Sequence, residues 1–365
     1  MNENMNQQGQ PVQGQPGQYY QQGQPGQYYQ QNQQFQQPQY SQQMPYCQQP
    51  YGQMYNMAPP QPPKKSFFSR FHTDKFHWTD QFLLVGLISI VLLICGELVG
   101  ELLTYGLFAA NLADDPTGFF NITVMYFNFI GIWIVLCLYM AIVPKNRPIL
   151  KAIGTAPKGN NILFLVIGLL IGFGTNMICA IGAMLHKDIS ITFDSLPVFE
   201  LLVLFIAVFV QSSAEELLCR GFIYQKLRKG YKNPWVAIIL NAVFFGALHL
   251  GNPGVGFLAI LDIVVTGIFF SLMVYYTDSI WCAMAAHAAW NYTQNIILGL
   301  PNSGIVSPFS IFKLDAASAT SSFAYNVDFG LEGTILAVSV QIAGCIVMFL
   351  LFHNKHEKDY EPWNN

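Results

Sequence analysis

From Phe82 to Phe108 the chain carries two charged side chains, Glu97 and Glu101, in an otherwise apolar run. About 20 mainly apolar residues suffice to cross a bilayer as a helix. Inside lipid the backbone must satisfy its own hydrogen bonds, which a helix does within one segment. Further runs lie at 119–143, 162–185, 198–225, 235–250, 254–276, 279–298 and 333–353, the one at 235–250 being short. The sequence therefore predicts an all-α polytopic membrane helical bundle with about eight transmembrane helices. Composition excludes the soluble alternative: 52% of the 365 residues are hydrophobic and 10% are charged, against about 25% charged in ordinary soluble domains.

Residues 1–63 have another character. They hold one charged residue, Glu3, and one residue of the Val, Ile, Leu type, Val12, and are over a third glutamine. The nonapeptide GQPGQYYQQ occurs at 14–22 and again at 23–31. Such a segment lacks the aliphatic content to offset chain entropy. A disordered cytoplasmic tail is expected, serving either tyrosine-mediated protein contacts or no purpose beyond a tolerated extension. The rest divides into two N-terminal transmembrane helices in 64–158, a core at 159–298, a loop at 299–332, and a last helix with its tail at 333–365.

Charge orients these segments. Lys64, Lys65, Arg70 and Lys75 precede the first run, and Lys145, Arg147, Lys151 and Lys158 separate the second from the third. Lys226, Arg228, Lys229 and Lys232 follow the fourth, and Lys355 and Lys358 follow the last. The intervening loops carry Asp114, Asp115, Asp188, Asp194, Asp315 and Asp328. Basic flanks mark the cytoplasmic side, so both termini are expected in the cytoplasm of a multi-pass cell-membrane protein, with 299–332 outside. No basic segment followed by an apolar stretch opens the chain, so no cleavable signal peptide is expected. No basic domain suggests nucleic acid as a partner. The seven cysteines are scattered without a CxxC pair, which argues against a disulfide framework and a cysteine zinc site.

Ionisable residues at membrane depth are costly and each is a functional-site hypothesis. They are Glu97 and Glu101, then Glu215, Glu216 and Arg220, then His249, Asp262 and His287. At 1.5 Å per residue, Glu215 lies roughly 16 Å from Lys226, His249 about 21 Å from Trp235, His287 about 12 Å from Ser279 and Asn291 about 18 Å. These depths are measured from basic-side ends, so three helices bring Glu, His, His and Asn to one layer. Glu216 and Arg220 are spaced i,i+4 and share a helix face. Glu215 points about 100° away and stays free for other work. His287 and Asn291 are likewise stacked on one face, and His249 precedes a Gly-Asn-Pro-Gly break that can open a cavity.

AEELLCR at 214–220, FGALH at 245–249 and HAAWN at 287–291 fit EExxxR, FxxxH and HxxxN. In that order on successive hydrophobic segments, they resemble the CPBP intramembrane protease family. That family comprises the type II CAAX prenyl proteases and bacterial relatives such as lysostaphin-resistance and bacteriocin self-immunity proteins. The resemblance spans roughly 160–298. It implies that Glu215 and His249 activate a water, that His287 and Asn291 stabilise the oxyanion, and that Glu216 and Arg220 support the site. It implies a peptide or membrane-protein substrate cut near the cytoplasmic leaflet. The metal is open between two mechanisms: a glutamate mechanism needing no cofactor, which is preferred because Asn291 is a poor zinc ligand and no HExxH helix is present, and a metalloprotease with zinc on Glu215, His249 and His287.

Two other classes compete with hydrolysis. One is a non-catalytic binding or immunity protein that keeps the fold. The other is a proton-coupled transporter using Glu97, Glu101 and Asp262 as a relay, against which stands the lack of repeated halves. Short loops and the Gln-Pro-Gly tail suggest a bacterial protein.

Overall fold

A computed structural model describes residues 67–354 and 361–363. The 1–63 tail with its repeat, and Lys64, Lys65, Lys355 and Lys358, lie outside the described residues. After a short α1 (Phe67–Phe71) the chain enters the long helix α2 (Phe82–Ala113), capped by the Gln81 side chain, which accepts from Leu84 N. The second expected span is two helices, α3 (Phe119–Phe127) and α4 (Ile130–Ile142), parted at Asn128 and Phe129. α5 (Arg147–Ile153) leads to α6 (Ile162–Leu185), then α7 (Val198–Glu216) and α8 (Tyr224–Gly230), joined by π turns over Leu217–Ile223. α9 (Pro234–Leu248), α10 (Phe257–Thr277) and α11 (Ile280–Asn291) follow, with α11 prolonged by π turns over Tyr292–Ile297. α12 (Ile335–Phe352) closes the bundle.

Every expected span has its helix, and the bundle is all-α and polytopic. Six helical stretches among the described residues are long and apolar enough to cross a membrane: Phe82–Ala113, Phe119–Ile142, Ile162–Leu185, Val198–Gly230, Phe257–Thr277 and Ile335–Phe352. The two that fall short are α9, which His249 directly follows, and α11, which carries His287 and Asn291. For α11 the reason is burial: every residue from Ile280 to Asn291 except half-buried Trp281 is buried, so lipid does not test its hydropathy, whereas α9 keeps Trp235, Ile239 and Val243 exposed. The lipid-facing helices show the reverse pattern, with Leu98, Leu102, Leu170 and Phe199 exposed.

Close helix approach sets the position of α11. A Cβ on Gly168 would collide with Cys282 O, and one on Gly172 with Ala286 O. Only glycines four apart on α6 let the two backbones touch along this seam, the small-residue packing expected where lipid provides no hydrophobic drive. Cys282, Ala285 and Ala286 of α11 supply the matching small face.

At the basic end, buried Asp80 pairs with Lys226 at 2.5 Å and Lys229 at 3.0 Å. Two lysines that the sequence offers only as orientation signals thus also tie the segment before α2 to α8. At the opposite end the loop expected over 299–332 is ordered. It contains β2 (Phe312–Leu314), which pairs antiparallel with β1 (Ile191–Phe193), a ladder with no sequence signal strong enough to foresee it.

Candidate active site

Glu216 closes α7 and Arg220 follows in the π turns, both fully buried. Arg220 Nη1 donates to Glu216 Oε1 at 2.8 Å and Nη2 to Gly267 O at 2.9 Å. The guanidinium carbon lies 4.6 Å from the Phe245 ring centre and 5.5 Å from that of Phe270, so the cation meets a carboxylate, a carbonyl and two aromatic faces. The i,i+4 pair expected from spacing is formed. The same carboxylate oxygen also serves a histidine, since Glu216 Oε1 accepts from His287 Nδ1 at 3.1 Å.

Glu215, one residue earlier, faces a different way. Its Oε1 accepts from Gln211 Nε2 at 2.5 Å. Its Oε2 has no hydrogen-bond partner among the described residues and lies 3.9 Å from His287 Nε2. The His287 imidazole therefore sits between two carboxylates. Because a carboxylate only accepts, Nδ1 carries the proton shared with Glu216, leaving Nε2 toward Glu215. The tautomer follows from these partners. His249, just past α9, has Nδ1 against Phe245 O at 2.9 Å, which leaves its Nε2 as the remaining polar atom of the ring.

Asn291 is held on both sides of its amide. Nδ2 donates to Gln211 Oε1 at 3.2 Å and Ser212 Oγ at 3.1 Å, and Oδ1 accepts from Asn302 Nδ2 at 3.1 Å. Gln211 thus connects Glu215 to Asn291. It lies outside the three motifs, although its position one turn before Glu215 on α7 is the signal that could have found it.

Glu215, His249, His287 and Asn291 all line one cavity of about 250 Å³. Glu97 and buried Asp262 line it too, while Glu101 does not, so the relay pair expected on α2 is divided. The wall is completed by Asn252 beyond α9 and by Asn302, Ser303 and Glu332 of the loop. The cavity is thus bounded on one side by the loop at the end of the bundle away from the basic segments. Glu332, outside the helices, has its carboxyl raised above the usual range by burial, a rise opposed by hydrogen bonds from Ser303 and Trp290.

The zinc alternative asks Glu215, His249 and His287 to converge. Among the described residues no three His, Cys, Asp or Glu side chains are grouped so that they could hold a metal ion. His287 Nδ1 is committed to Glu216 and His249 Nδ1 to a carbonyl, which leaves the Nε2 atom of each ring as the nitrogen a metal would use. The three side chains are of ligand type and line one cavity, but they are not drawn together around one point.

Residues 197–293 match a family model described as Type II CAAX prenyl endopeptidase Rce1-like, and all six candidate site residues of the motifs fall inside that segment. The uncharacterized protein YyaK of Bacillus subtilis (strain 168) is 32% identical over 114 residues, which cover 30% of this chain and 38% of that protein. The chain thus spans well under half the length of the curated relative it matches. No solved structure matches it.

Proposed function

From the match of residues 197–293 to the Type II CAAX prenyl endopeptidase Rce1-like family model, we propose that the chain is an intramembrane endopeptidase using a carboxylate-activated water. The observation that carries this reading is the pair formed by Glu215 Oε2, without a hydrogen-bond partner, and His287 Nε2, 3.9 Å away. That separation is too long for a direct hydrogen bond, and a water bridging it would touch the base and the imidazole together.

In this reading Glu215 takes the proton of the water as its oxygen attacks the scissile carbonyl. His249, at the same cavity, helps hold that water. Charge then develops on the carbonyl oxygen, and Asn291 Nδ2 stabilises it, joined by His287 Nε2–H once the imidazole, set between the Glu215 and Glu216 carboxylates, carries a proton on both nitrogens. Asn291 exchanges a hydrogen bond to Gln211 or Ser212 for one to the oxyanion. Collapse of the tetrahedral intermediate breaks the C–N bond, and the proton held by Glu215 passes to the leaving amine. Glu216 and Arg220 keep His287 oriented without touching the substrate. No metal enters these steps.

The substrate is a membrane-associated peptide or protein, for which a prenylated CAAX peptide is one chemical precedent by the family's description. The test compares the membrane peptidomes of cells carrying wild type and Glu215→Ala. An uncut membrane peptide that accumulates only in the variant is the expected result. Identical peptidomes, with the wild-type protein shown to be present, would contradict the reading.

A further inference from the structure

Glu332 has no place in the motif set, lies 41 residues beyond Asn291 in the chain, and is 6% exposed. Four donors converge on it. Trp290 Nε1 and Asn302 Nδ2 each donate to Oε1 at 3.0 Å, and Ser303 donates to Oε2 from its backbone N at 2.7 Å and its Oγ at 2.9 Å. No cation neutralises it through an ion pair among the described residues. A buried carboxylate is expensive unless its acceptor sites are filled, and here the loop and α11 fill them. Asn302, also buried, spends Nδ2 twice, on Glu332 Oε1 and on Asn291 Oδ1 at 3.1 Å.

The donor inventory gives this chain a direction. Both oxygens of Glu332 meet donors that cannot accept, the Trp290 ring N–H at Oε1 and the Ser303 backbone N–H at Oε2, so Oε1 acts as an acceptor and Asn302 turns its NH2 group toward it. That same NH2 then meets Asn291, which must answer with its carbonyl oxygen. The Asn291 NH2 group is left pointing at Gln211, Ser212 and the cavity. If Asn291 were reversed, its carbonyl oxygen would face the site and repel a developing oxyanion. The segment carrying Asn302 is itself pinned to the π turns after α11. Gln294 Nε2 donates to Pro301 O at 2.6 Å, and Asn295 Nδ2 donates to Leu300 O at 3.1 Å and Ile305 O at 2.9 Å.

We propose that Glu332 is a positioning residue of the active site, acting through Asn302 to fix which end of the Asn291 amide faces the cavity. The loop thereby belongs to the catalytic apparatus although it lies outside the matched domain at 197–293. The proposal rests on the proteolytic reading for its kinetic consequence and on geometry alone for the orientation of Asn291.

The test uses the full chain in detergent with 15N-asparagine labelling, and an internally quenched peptide ending in a farnesylated Cys-aliphatic-aliphatic-X sequence. Asn302→Asp removes the donor that Asn291 answers. The Asn291 side-chain amide resonances, assigned by their loss in Asn291→Asp, are expected to move, while those of Asn241, bonded to Ser271 at 2.9 Å, stay in place. Turnover should fall about 100-fold with KM within two-fold, the pattern of a lost oxyanion donor. Glu332→Gln should lose activity in the same sense. Should the new carboxylate at 302 unfold the protein beside Glu332, the double change Asn302→Asp with Glu332→Gln restores a donor–acceptor pair between them. That variant is expected to recover its melting temperature and remain slow, because Asn291 is still reversed. Turnover recovering together with stability would make the role structural and overturn the proposal, as would Asn291 resonances unmoved in every folded variant. Wild type that leaves the probe uncut would count against the proteolytic reading on this substrate class, and the resonances would still decide the orientation.

Discussion

Adjacent carboxylates on a helix point about 100° apart, and α7 uses that turn to give Glu215 and Glu216 different surroundings. Glu216 answers Arg220 and His287 with one oxygen, inside the protein. Glu215 turns toward the cavity an oxygen with no hydrogen-bond partner among the described residues. Replacing Glu216 with Gln strands a guanidinium that has no access to water, at a cost on the order of 3–5 kcal/mol. Glu216→Gln is therefore expected to accumulate poorly and to melt well below wild type in detergent. A melting temperature equal to that of wild type would show that Gly267 O and the two aromatic faces satisfy Arg220 alone. The sequence discloses the Glu216–Arg220 pair because an i,i+4 spacing is a local fact. It conceals the Glu216–His287 bond, because nothing in a linear string says which of two carboxylates a histidine on a distant helix will meet.

At the scale of the helices, two features decide whether these side chains meet. The first is the seam between α6 and α11, where Gly172 leaves no room for a Cβ against Ala286 O. Ala286 neighbours His287, so pushing α11 outward moves the imidazole. Gly172→Ala should cost about 1–3 kcal/mol through overpacking and lower turnover. Gly174→Ala, two residues on, meets nothing within 4 Å and should gain up to about 1 kcal/mol of helix propensity. Thermal melts of the two variants side by side check the pair, and equal effects would contradict the seam. The second feature is the π turns, which begin directly after Glu216 and directly after Asn291. Such bulges are frequent at functional sites. The apolar runs reveal the helices but not these bulges, because a hydrophobic run reads alike in either winding. Asn302, Ser303 and Glu332 escape a sequence reading for a related reason: polar residues in a loop are ordinary, and only folding brings 302 and 332 together.

At the scale of the whole molecule, the basic segments and the loop that lines one side of the cavity occupy opposite ends of the bundle. Reporter fusions at Lys158 and Lys232 should read cytoplasmic and one at Asp315 external. An external reading at Lys232 would reverse the orientation and place the loop in the cytoplasm. Deleting residues 1–63 should leave insertion and cleavage intact, since their composition cannot contribute to a core. A truncated protein that inserts but no longer cleaves would assign the tail a catalytic role. Length and apolarity made the spans legible, and depth bookkeeping put four site residues in one layer. The side from which a substrate reaches them was not legible, because it depends on which loop roofs the cavity. All of this serves one chemical claim, that Glu215 activates water, and paired measurement on Glu215→Gln tests it most directly. The variant, purified in the same detergent as wild type, is expected to melt alongside it, because Gln211 and the cavity accept an amide there without leaving a buried charge. Its turnover of an internally quenched membrane peptide should fall about 10²–10⁴-fold. A folded Glu215→Gln protein that cleaves at the wild-type rate would contradict the account.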